Sequence, residues 1–389
     1  MRHEACPSCA SNRLRAFFRV NSAPVFSLVT VKSKDDALAV PRKDIELALC
    51  LQCGFIFNRL FDTSIDHFSG GYEDQQAFSK TFMDYLRRLS TDLVRKYALQ
   101  GKNITEIGCG KGDFLNLLVQ TSGGKGVGID PTYREGRQGN PNLTFHRSFY
   151  AMDHGKIPAD AICCRHTLEH IHDTRGFLRL LRQSLGSNTA PVIFFEVPEI
   201  KRILEVGAFW DIYYEHCSYF SPGALARLFR STGFEVLDLR LDYQAQYLLI
   251  EARPALGETH TTHENEETLA DLELRVGRFA RKIDADLGDW RNTLVKLKKR
   301  GAKTVVWGGG SKSVGFLVNF ADLDLIQYVV DVNPHMEGNF IPGIGKMYVQ
   351  PSFLKEYRPD AVIIMNAIYK DEICKSLQEM GLSPEIHAL

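Results

Sequence analysis

The densest group of side chains able to move protons lies in residues 207–221, GAFWDIYYEHCSYFS. Tyr213, Glu215 and His216 stand close together there, just after the fifth apolar strand of the central region. Histidine titrates near neutral pH, and a neighbouring carboxylate or phenol can orient its ring or shift its pKa. We therefore predict that His216 is a general base for a carbon-bound proton, with Glu215 holding the ring tautomer. The alternative is a lid of histidine and aromatic side chains over a bound cofactor.

A glycine-rich segment, ITEIGCGKGDF at residues 104–114, predicts a cofactor site. Glycine at alternate positions lets a ligand lie against backbone that carries no Cβ, where a strand turns into a helix. The next apolar strand, GVGID, ends in Asp130, a carboxylate placed to accept hydrogen bonds from both ribose hydroxyls of a nucleoside. The spacing differs from the GxGxxG dinucleotide motif, because Asp113 stands where the third glycine would be.

This pattern resembles motif I of class I S-adenosylmethionine (SAM) methyltransferases. The resemblance implies a SAM site, and the residues that match it are Glu106, Gly108, Cys109, Gly110, Gly112 and Asp130. An ordinary turn between a strand and a helix is the alternative.

Two Cys-x-x-Cys pairs stand near the start of the sequence, Cys6 with Cys9 and Cys50 with Cys53. The two-residue gap lets both thiolates of one turn reach the same ion, and four sulfurs complete a closed tetrahedral site. We expect a structural Zn²⁺ ion here; unrelated thiols are the alternative. The other cysteines lie in apolar or motif contexts, where a small buried hydrophobic side chain is the default interpretation.

Composition limits the class of protein. The 389 residues, 44% apolar and 24% charged, are typical of a soluble globular chain of two to four domains. Basic and acidic residues balance at 47 each, so net charge favours neither a nucleic acid nor an anionic membrane as partner. No apolar run approaches the roughly 20 residues of a membrane span, and the first residues lack a signal-peptide core. We therefore expect a cytoplasmic enzyme with a small-molecule substrate.

The elements that must position these residues form an α/β fold. Apolar runs alternate with helical stretches across residues 61–255, which predicts a Rossmann-like parallel sheet for the SAM-binding domain. A zinc-binding domain at 1–60 precedes it, and a polar linker with an amphipathic helix follows at 256–300. Residues 301–389 repeat the strand, glycine loop and helix order, with a second strand ending in Asp331. This last domain either contacts a phosphate group or is a scaffold, with NAD binding the less favoured alternative.

Taken in order, four patterns resemble the nucleotide-sugar C-methyltransferases, which methylate C3 of 4-keto-6-deoxy sugars: CxxC…CxxCG, GxGxG, YxEHxxxFS and GGGSKS…DxNPxxxG. The match spans nearly the whole chain. It implies that His216 is the base, that Glu215 and Tyr213 support it, and that Tyr72 is a further catalytic residue. His166 follows the strand ADAICC and would border the pocket; a capping or solvent-facing histidine is the alternative.

One segment departs from that family. Members carry an HGGS-like turn before a late strand, where this chain has Asp242 to Tyr247, DYQAQY. That loop should face the acceptor, so the departure bears on the substrate and leaves the fold prediction intact. The predicted activity is C-methylation of a nucleotide-linked keto-deoxysugar through an enolate formed by His216. The alternatives are O- or N-methylation of a sugar or other small metabolite, and a non-catalytic protein that binds zinc and SAM.

Overall fold

The computed structural model describes residues 2–65, 72–73, 75–134, 139–257 and 259–389. These residues form three β-sheets and the helices that cover them. The strands are β1 (Leu14–Pro24), β2 (Arg42–Cys50), β3 (Ile56–Asn58), β4 (Asn103–Ile107), β5 (Lys125–Ile129), β6 (Leu143–His146), β7 (Ala161–Arg165), β8 (Val192–Pro198), β9 (Ser218–Tyr219), β10 (Phe234–Asp242), β11 (Tyr247–Pro254), β12 (Thr304–Trp307), β13 (Tyr328–Val330), β14 (Met347–Val349), β15 (Ala361–Ile364) and β16 (Glu385–Ala388). The helices are α1 (Lys34–Leu38), α2 (Lys80–Lys96), α3 (Asp113–Ser122), α4 (Thr174–Ser184), α5 (Ile200–Val206), α6 (Pro222–Ser231), α7 (Leu269–Lys299), α8 (Ser311–Leu317), α9 (Leu354–Tyr357) and α10 (Lys370–Glu379).

The central sheet has seven strands in the order β10-β11-β8-β7-β4-β5-β6. Strands β4 to β8 run parallel, whereas β11 is antiparallel to both β8 and β10. The α/β fold predicted from the alternating apolar runs is confirmed. The chain moves to one side of β4 through β5 and β6, then returns to the other side at β7. Ligands of such sheets bind at this switch point, beyond the carboxyl ends of the strands.

The first sheet joins the cysteine-bearing segment to the central region. Its order is β1-β2-β3-β9, and β9 comes from residues far along the chain. Ile56 and Phe57 of β3 pair with Tyr219 and Ser218 of β9. Because β9 begins two residues after His216, this sheet fixes the backbone that carries the predicted base.

The third sheet is parallel throughout, with the order β14-β13-β12-β15-β16. Strand β12 leads through a glycine loop into α8, and β13 ends just before Asp331. The order of strand, loop, helix, strand and carboxylate therefore matches that of β4, α3 and β5. The strand order also reverses between β12 and β15, which creates a second switch point.

Helix α7 connects the central sheet to the third sheet. Its apolar residues recur at three- to four-residue spacing, and Leu272, Val276 and Phe279 are buried in a core that also contains Ile45 of β2 and Val306 of β12. This shared core packs the first and third sheets against one another. Among the described helices, none combines the length with the apolar content that a bilayer crossing requires.

Candidate active site

A cavity of about 720 Å³ lies between the central sheet and the third sheet. Residues that follow β4 and β7 line one side of it, and residues that follow β12 and β15 line the other. Most residues predicted for the site line this cavity: Tyr72, Glu106, Gly108, Cys109, Gly110, Asp130, His166, Tyr213 and His216. Gly112 and Glu215 are not among the residues that line it. The two switch points therefore face each other across one space, large enough for a bound cofactor and part of an acceptor.

Asp130 is held in a fixed orientation at the end of β5. Its Oδ2 accepts a hydrogen bond from the Gly110 backbone N–H at 2.8 Å. Its Oδ1 accepts from the Thr132 backbone N–H at 2.6 Å and from the Thr132 hydroxyl at 2.7 Å. A carboxylate offers about four lone-pair sites, so the group can still accept hydrogen bonds from ribose hydroxyls.

The glycines of the loop serve packing as well as ligand approach. Gly108 has φ +69°, and a Cβ there would lie 1.9 Å from the Thr167 hydroxyl. Gly112, φ +81°, is the N-cap of the ten-residue helix α3 and makes no side-chain cap. The α3 amino end is thus left with backbone N–H groups and a partial positive charge, which suits a carboxylate.

Glu106 is buried in the wall of the cavity at 2% exposure. Its Oε2 has no hydrogen-bond partner among the described residues. Burial raises the pKa of Glu106 to about 8. A buried carboxyl with one unpartnered oxygen, a carboxylate placed for ribose hydroxyls and a helix amino terminus together fit SAM, which offers an ammonium, two hydroxyls and a carboxylate to such groups.

His216 and Tyr213 meet through a tight turn. The His216 N–H donates to the Tyr213 carbonyl at 3.2 Å, a contact between residues i+3 and i that brings both side chains to one face. The Tyr213 hydroxyl lies 2.8 Å from His216 Nε2. Burial raises the pKa of Tyr213 well above 10, so the phenol keeps its proton and donates to the ring.

Glu215 has a different place from the one predicted. It sits in the middle of the same turn, so its side chain points away from that of His216. Its carboxylate accepts hydrogen bonds from the Ser27 N–H at 3.0 Å and from the Ser27 hydroxyl. Within the described part of the chain, Tyr213 holds His216 Nε2 and Glu215 anchors the turn to Ser27, so the role of Glu215 in orienting the imidazole stays a prediction.

His216 is a neutral imidazole. The side chain is buried, and burial lowers its pKa well below 6.5. Electrostatic interactions with His170, His166 and Lys312 act in the same direction. A buried neutral imidazole carries a lone pair at neutral pH, which a general base requires.

His166 has the opposite charge state. It follows β7 with φ +47°, its Nδ1 lies 3.5 Å from Glu169 Oε1, and its Nε2 lies 2.8 Å from Glu196 Oε1. Burial lowers its pKa, but the two carboxylates outweigh burial and raise the pKa of His166 to about 9. His166 is therefore a cation on the cavity wall, suited to donating a hydrogen bond, and is not a solvent-facing residue.

Tyr72 also lies at the cavity. Its carbonyl accepts a hydrogen bond from Lys111 Nζ at 2.9 Å, and the same ammonium lies 5.9 Å from the centre of its ring. Lys111 belongs to the glycine loop, so Tyr72 is placed at the mouth of the predicted cofactor site.

Two chemically active residues were missed from the sequence, Glu169 and His170. They form a short 3₁₀ turn after β7, and both line the cavity. The ring of His170 lies 4.9 Å from that of His216, centroid to centroid. The sequence feature that could have identified them is the one that identified His166: all three are titratable residues just beyond the carboxyl end of a buried strand.

Two cations, Lys312 beside the third sheet and Arg202 of α5, meet at one carboxylate in the cavity. Lys312 Nζ lies 2.6 Å from Asp211 Oδ1, and Arg202 pairs with the same carboxylate. Lys312 also donates to Gln246 Oε1 at 3.3 Å, and the amide groups of Gln246 and Asn366 exchange hydrogen bonds of 2.8 and 2.9 Å. The departing loop at Asp242 to Tyr247 therefore reaches the cavity through Gln246 and Tyr247.

The four cysteines near the start form a compact cluster. Cys6 Sγ lies 3.7 Å from Cys53 Sγ, and Cys9 Sγ lies 3.5 Å from Cys50 Sγ. All four sulfurs lie within 4.8 Å of one another, and none is in a disulfide. Zn–S bonds of about 2.3 Å in a tetrahedron place sulfurs about 3.8 Å apart, so the geometry fits a tetrahedral metal ion.

Comparisons with known proteins agree with this site. A family model described as a methyltransferase domain matches residues 75–239, and one described as a C-methyltransferase C-terminal domain matches residues 251–383. The C-methyltransferase NovU of Streptomyces niveus is 25% identical over 364 residues, which cover 89% of this chain and 86% of NovU.

Among solved structures, magnesium protoporphyrin IX methyltransferase (ChlM) from Synechocystis PCC 6803, with bound S-adenosylhomocysteine, is 12% identical. That match covers 48% of this chain and 91% of ChlM, with a TM-score of 0.35. The riboflavin-analogue dimethyltransferase RosA from Streptomyces davawensis is 15% identical over 45% of this chain and 56% of RosA, with a TM-score of 0.35. The two family models and NovU support a class I SAM-dependent C-methyltransferase.

Proposed function

We propose that this enzyme methylates a carbon beside a ketone on a nucleotide-linked deoxysugar, with His216 as the general base. The observation that carries the proposal is a buried, neutral imidazole that lines the same cavity as the SAM loop. A carbon acid next to a ketone needs a base that is unprotonated at neutral pH, and burial of His216 supplies one.

Bound SAM supplies an electrophilic methyl group on its sulfonium. His216 removes the proton from the acceptor carbon, and the electron pair moves to the ketone oxygen to give an enolate. The enolate carbon would bond to the methyl as the methyl–sulfur bond breaks, which would leave S-adenosylhomocysteine and a protonated His216. In the free enzyme the Tyr213 phenol donates to His216 Nε2. The acceptor C–H takes that place on binding, and the displaced phenol can donate to the enolate oxygen.

The positive charge of His166 stabilises the negative charge that develops on the enolate oxygen. With a pKa of about 9 it stays protonated at neutral pH and cannot compete with His216 as the base. A charged donor in a cavity from which water is excluded stabilises an oxyanion more strongly than it would in water. Tyr72 completes the set of proposed catalytic residues at the cofactor side of the cavity.

The nucleotide is proposed to lie against the third sheet. Lys312 of the third sheet and Arg202 of α5 share the single carboxylate of Asp211, so these two cations offer a local site that suits a diphosphate. Lys312→Ala should raise the KM of the acceptor roughly tenfold or more while leaving the affinity for S-adenosylhomocysteine unchanged. Steady-state kinetics with a binding titration checks this, and an unchanged KM would leave the third sheet as a scaffold.

The remaining assignments are proposals as well. The four-cysteine cluster holds a structural Zn²⁺ ion, residues 1–60 form the metal domain, and residues 61–255 bind SAM. Residues 256–300 link to the acceptor-binding domain at 301–389. The first sheet supports this division with one qualification: it takes β9 from the SAM-binding region.

Mass spectrometry and NMR of the product test the reaction directly. The enzyme is incubated with SAM and a panel of nucleotide-linked 4-keto-6-deoxy sugars, and the new methyl is located by its bonded atom. A methyl on carbon supports the proposal; a methyl on oxygen or nitrogen would replace it with the alternative chemistry.

His216→Ala tests the base. Turnover should fall by roughly 10²- to 10⁴-fold or more, because loss of a general base has that effect. Affinity for S-adenosylhomocysteine should not change. In deuterated water without SAM, wild type should exchange the acidic hydrogen of the acceptor and the variant should not. His260→Gln, at an exposed histidine before α7, is the matched control and should behave as wild type. An active His216→Ala variant would remove His216 as the base.

A further inference from the structure

We propose that Glu169, His170 and His216 form a divalent transition-metal site in the cavity, separate from the four-cysteine cluster. One ligand atom from each residue lies within 4.8 Å of the other two, and all three residues line the cavity. Two imidazoles with one carboxylate are a ligand set that suits Ni²⁺, Fe²⁺ and Zn²⁺, and three protein ligands leave further positions open.

The state of Glu169 is what points to a cation. The residue is 1% exposed, and neither carboxylate oxygen has a hydrogen-bond partner among the described residues. Its nearest imidazole nitrogens are His166 Nδ1 at 3.5 Å and His216 Nε2 at 4.0 Å, both too far for a good hydrogen bond. The His166 cation offsets part of the cost of burying this carboxylate, and a bound metal ion would supply the direct partner that both oxygens lack.

The backbone holds the turn after β7 close to His216, and a metal ion at His216 Nε2 would displace the Tyr213 hydroxyl from that nitrogen. His170 Nδ1 contacts the Glu215 carbonyl at 3.1 Å, and the Cys217 N–H donates to the Glu169 carbonyl at 3.0 Å. These reciprocal contacts fix the turn after β7 against the segment that carries His216. A backbone carbonyl on one ring nitrogen is the usual outer partner of a metal-binding histidine, and here it points to Nε2 of His170 as the ligand.

Occupation of this site has a consequence for catalysis that rests on the proposed function. The His216 ring nitrogen can bind a metal or accept a proton, but it cannot do both. A bound transition metal should therefore inhibit methyl transfer, and a chelator should restore it. The metal site itself does not depend on His216 being the base.

Equilibrium dialysis of the full-length protein against Ni²⁺, without SAM or acceptor, tests the site. Nickel and the resident metal of the cysteine cluster are both counted by elemental analysis. We expect wild type to gain about one equivalent of Ni²⁺ with no loss of resident metal. Glu169→Gln and His170→Gln should each weaken Ni²⁺ binding roughly tenfold or more, since even outer-shell changes cost that much. Glu169→Asp keeps the charge and should bind better than Glu169→Gln.

His260→Gln is the matched histidine control and should bind Ni²⁺ as wild type does. S-adenosylhomocysteine affinity is measured on every variant, and the variants that retain it are compared. Equal Ni²⁺ binding by wild type and Glu169→Gln, or nickel that only replaces the resident metal, would overturn the proposal. Displacement of Ni²⁺ by an equal concentration of Mg²⁺ would also contradict a site of two imidazoles. Nickel that binds as expected but does not inhibit would preserve the site and count against His216 as the base.

Discussion

Charge states in this cavity are set by burial first and by neighbours second. His216 and Glu106 are both buried in its wall, and burial drives each towards its neutral form, lowering one pKa and raising the other. His166 is half-buried, but Glu169 and Glu196 reverse the outcome and keep it charged. Two histidines in one cavity thus take opposite charge states, because only His166 lies between two carboxylates.

Glu106 gives a prediction about stability and pH. Its pKa is about 8 in the folded protein against an ordinary value of 4.5. The neutral form therefore stabilises the fold, and this contribution is complete below pH 4.5 and lost as the pH rises through 8. Glu106→Gln is neutral at every pH, so the variant should keep this contribution to stability as the pH rises. The difference in unfolding free energy between the variant and wild type should grow by a few kcal/mol across that window.

Thermal unfolding of the SAM-free protein at several pH values measures the effect. Glu235→Gln, at an exposed glutamate on β10, is the matched control and should follow the pH curve of wild type. Parallel curves for wild type and Glu106→Gln would show that Glu106 is ionised in the folded protein.

Two glycines at element boundaries differ in whether the position needs an unusual backbone conformation, free space for the backbone, or both. Gly108 directly follows β4 and Gly123 directly follows α3, and both have positive φ, +69° and +66°. A Cβ at Gly108 would collide with Thr167, whereas a Cβ at Gly123 would meet nothing within 4 Å. The first position therefore needs both the backbone conformation and the space, and the second needs only the conformation.

We expect Gly123→Ala to lower stability by about 1–2 kcal/mol through left-handed strain alone, with S-adenosylhomocysteine affinity unchanged. Gly108→Ala carries the same strain but must also move Thr167 or the loop. Its affinity for S-adenosylhomocysteine should fall markedly. Calorimetric titration of the two variants, each with its own thermal midpoint, makes the comparison. Equal affinities would mean that the loop absorbs the extra carbon without moving the ligand.

The sequence predicted elements and ligand-bearing loops better than it predicted side-chain partners. Hydrophobic runs and glycine spacing identified β4, β5 and the loop that holds Asp130, since these depend on local rules. The partner of His216 did not follow from adjacency, because a turn brings Tyr213 and His216 together and turns Glu215 away. Glu169 and His170 were missed because their meeting with His216 depends on the docking of two segments distant in the chain.

At the scale of the whole molecule, the segment with the four cysteines and the segment with His216 share one sheet. Strand β2 ends at Cys50, β3 follows Cys53 closely, and β3 pairs with β9, which begins two residues after His216. The Asn58 N–H also donates to the Cys217 carbonyl at 2.9 Å. The SAM loop belongs to a different sheet. A metal ion bound at the cysteine cluster should therefore support the segment that carries His216 more than the cofactor site.

Removal of that metal by Cys53→Ser tests this coupling by hydrogen–deuterium exchange and mass spectrometry, with no acceptor needed. Exchange should rise in peptides that cover β3 and the segment from Tyr213 to Tyr219, because β3 is the hydrogen-bonded neighbour of β9 and is held at its start by the cluster. Peptides of β4 and α3 should be protected as in wild type, and S-adenosylhomocysteine should still bind. Cys374→Ser, at a thiol on α10 outside the cluster, is the matched control. Increased exchange throughout the molecule would mean that the metal stabilises the whole fold, and no change at β9 would mean that the base is positioned by the central sheet alone.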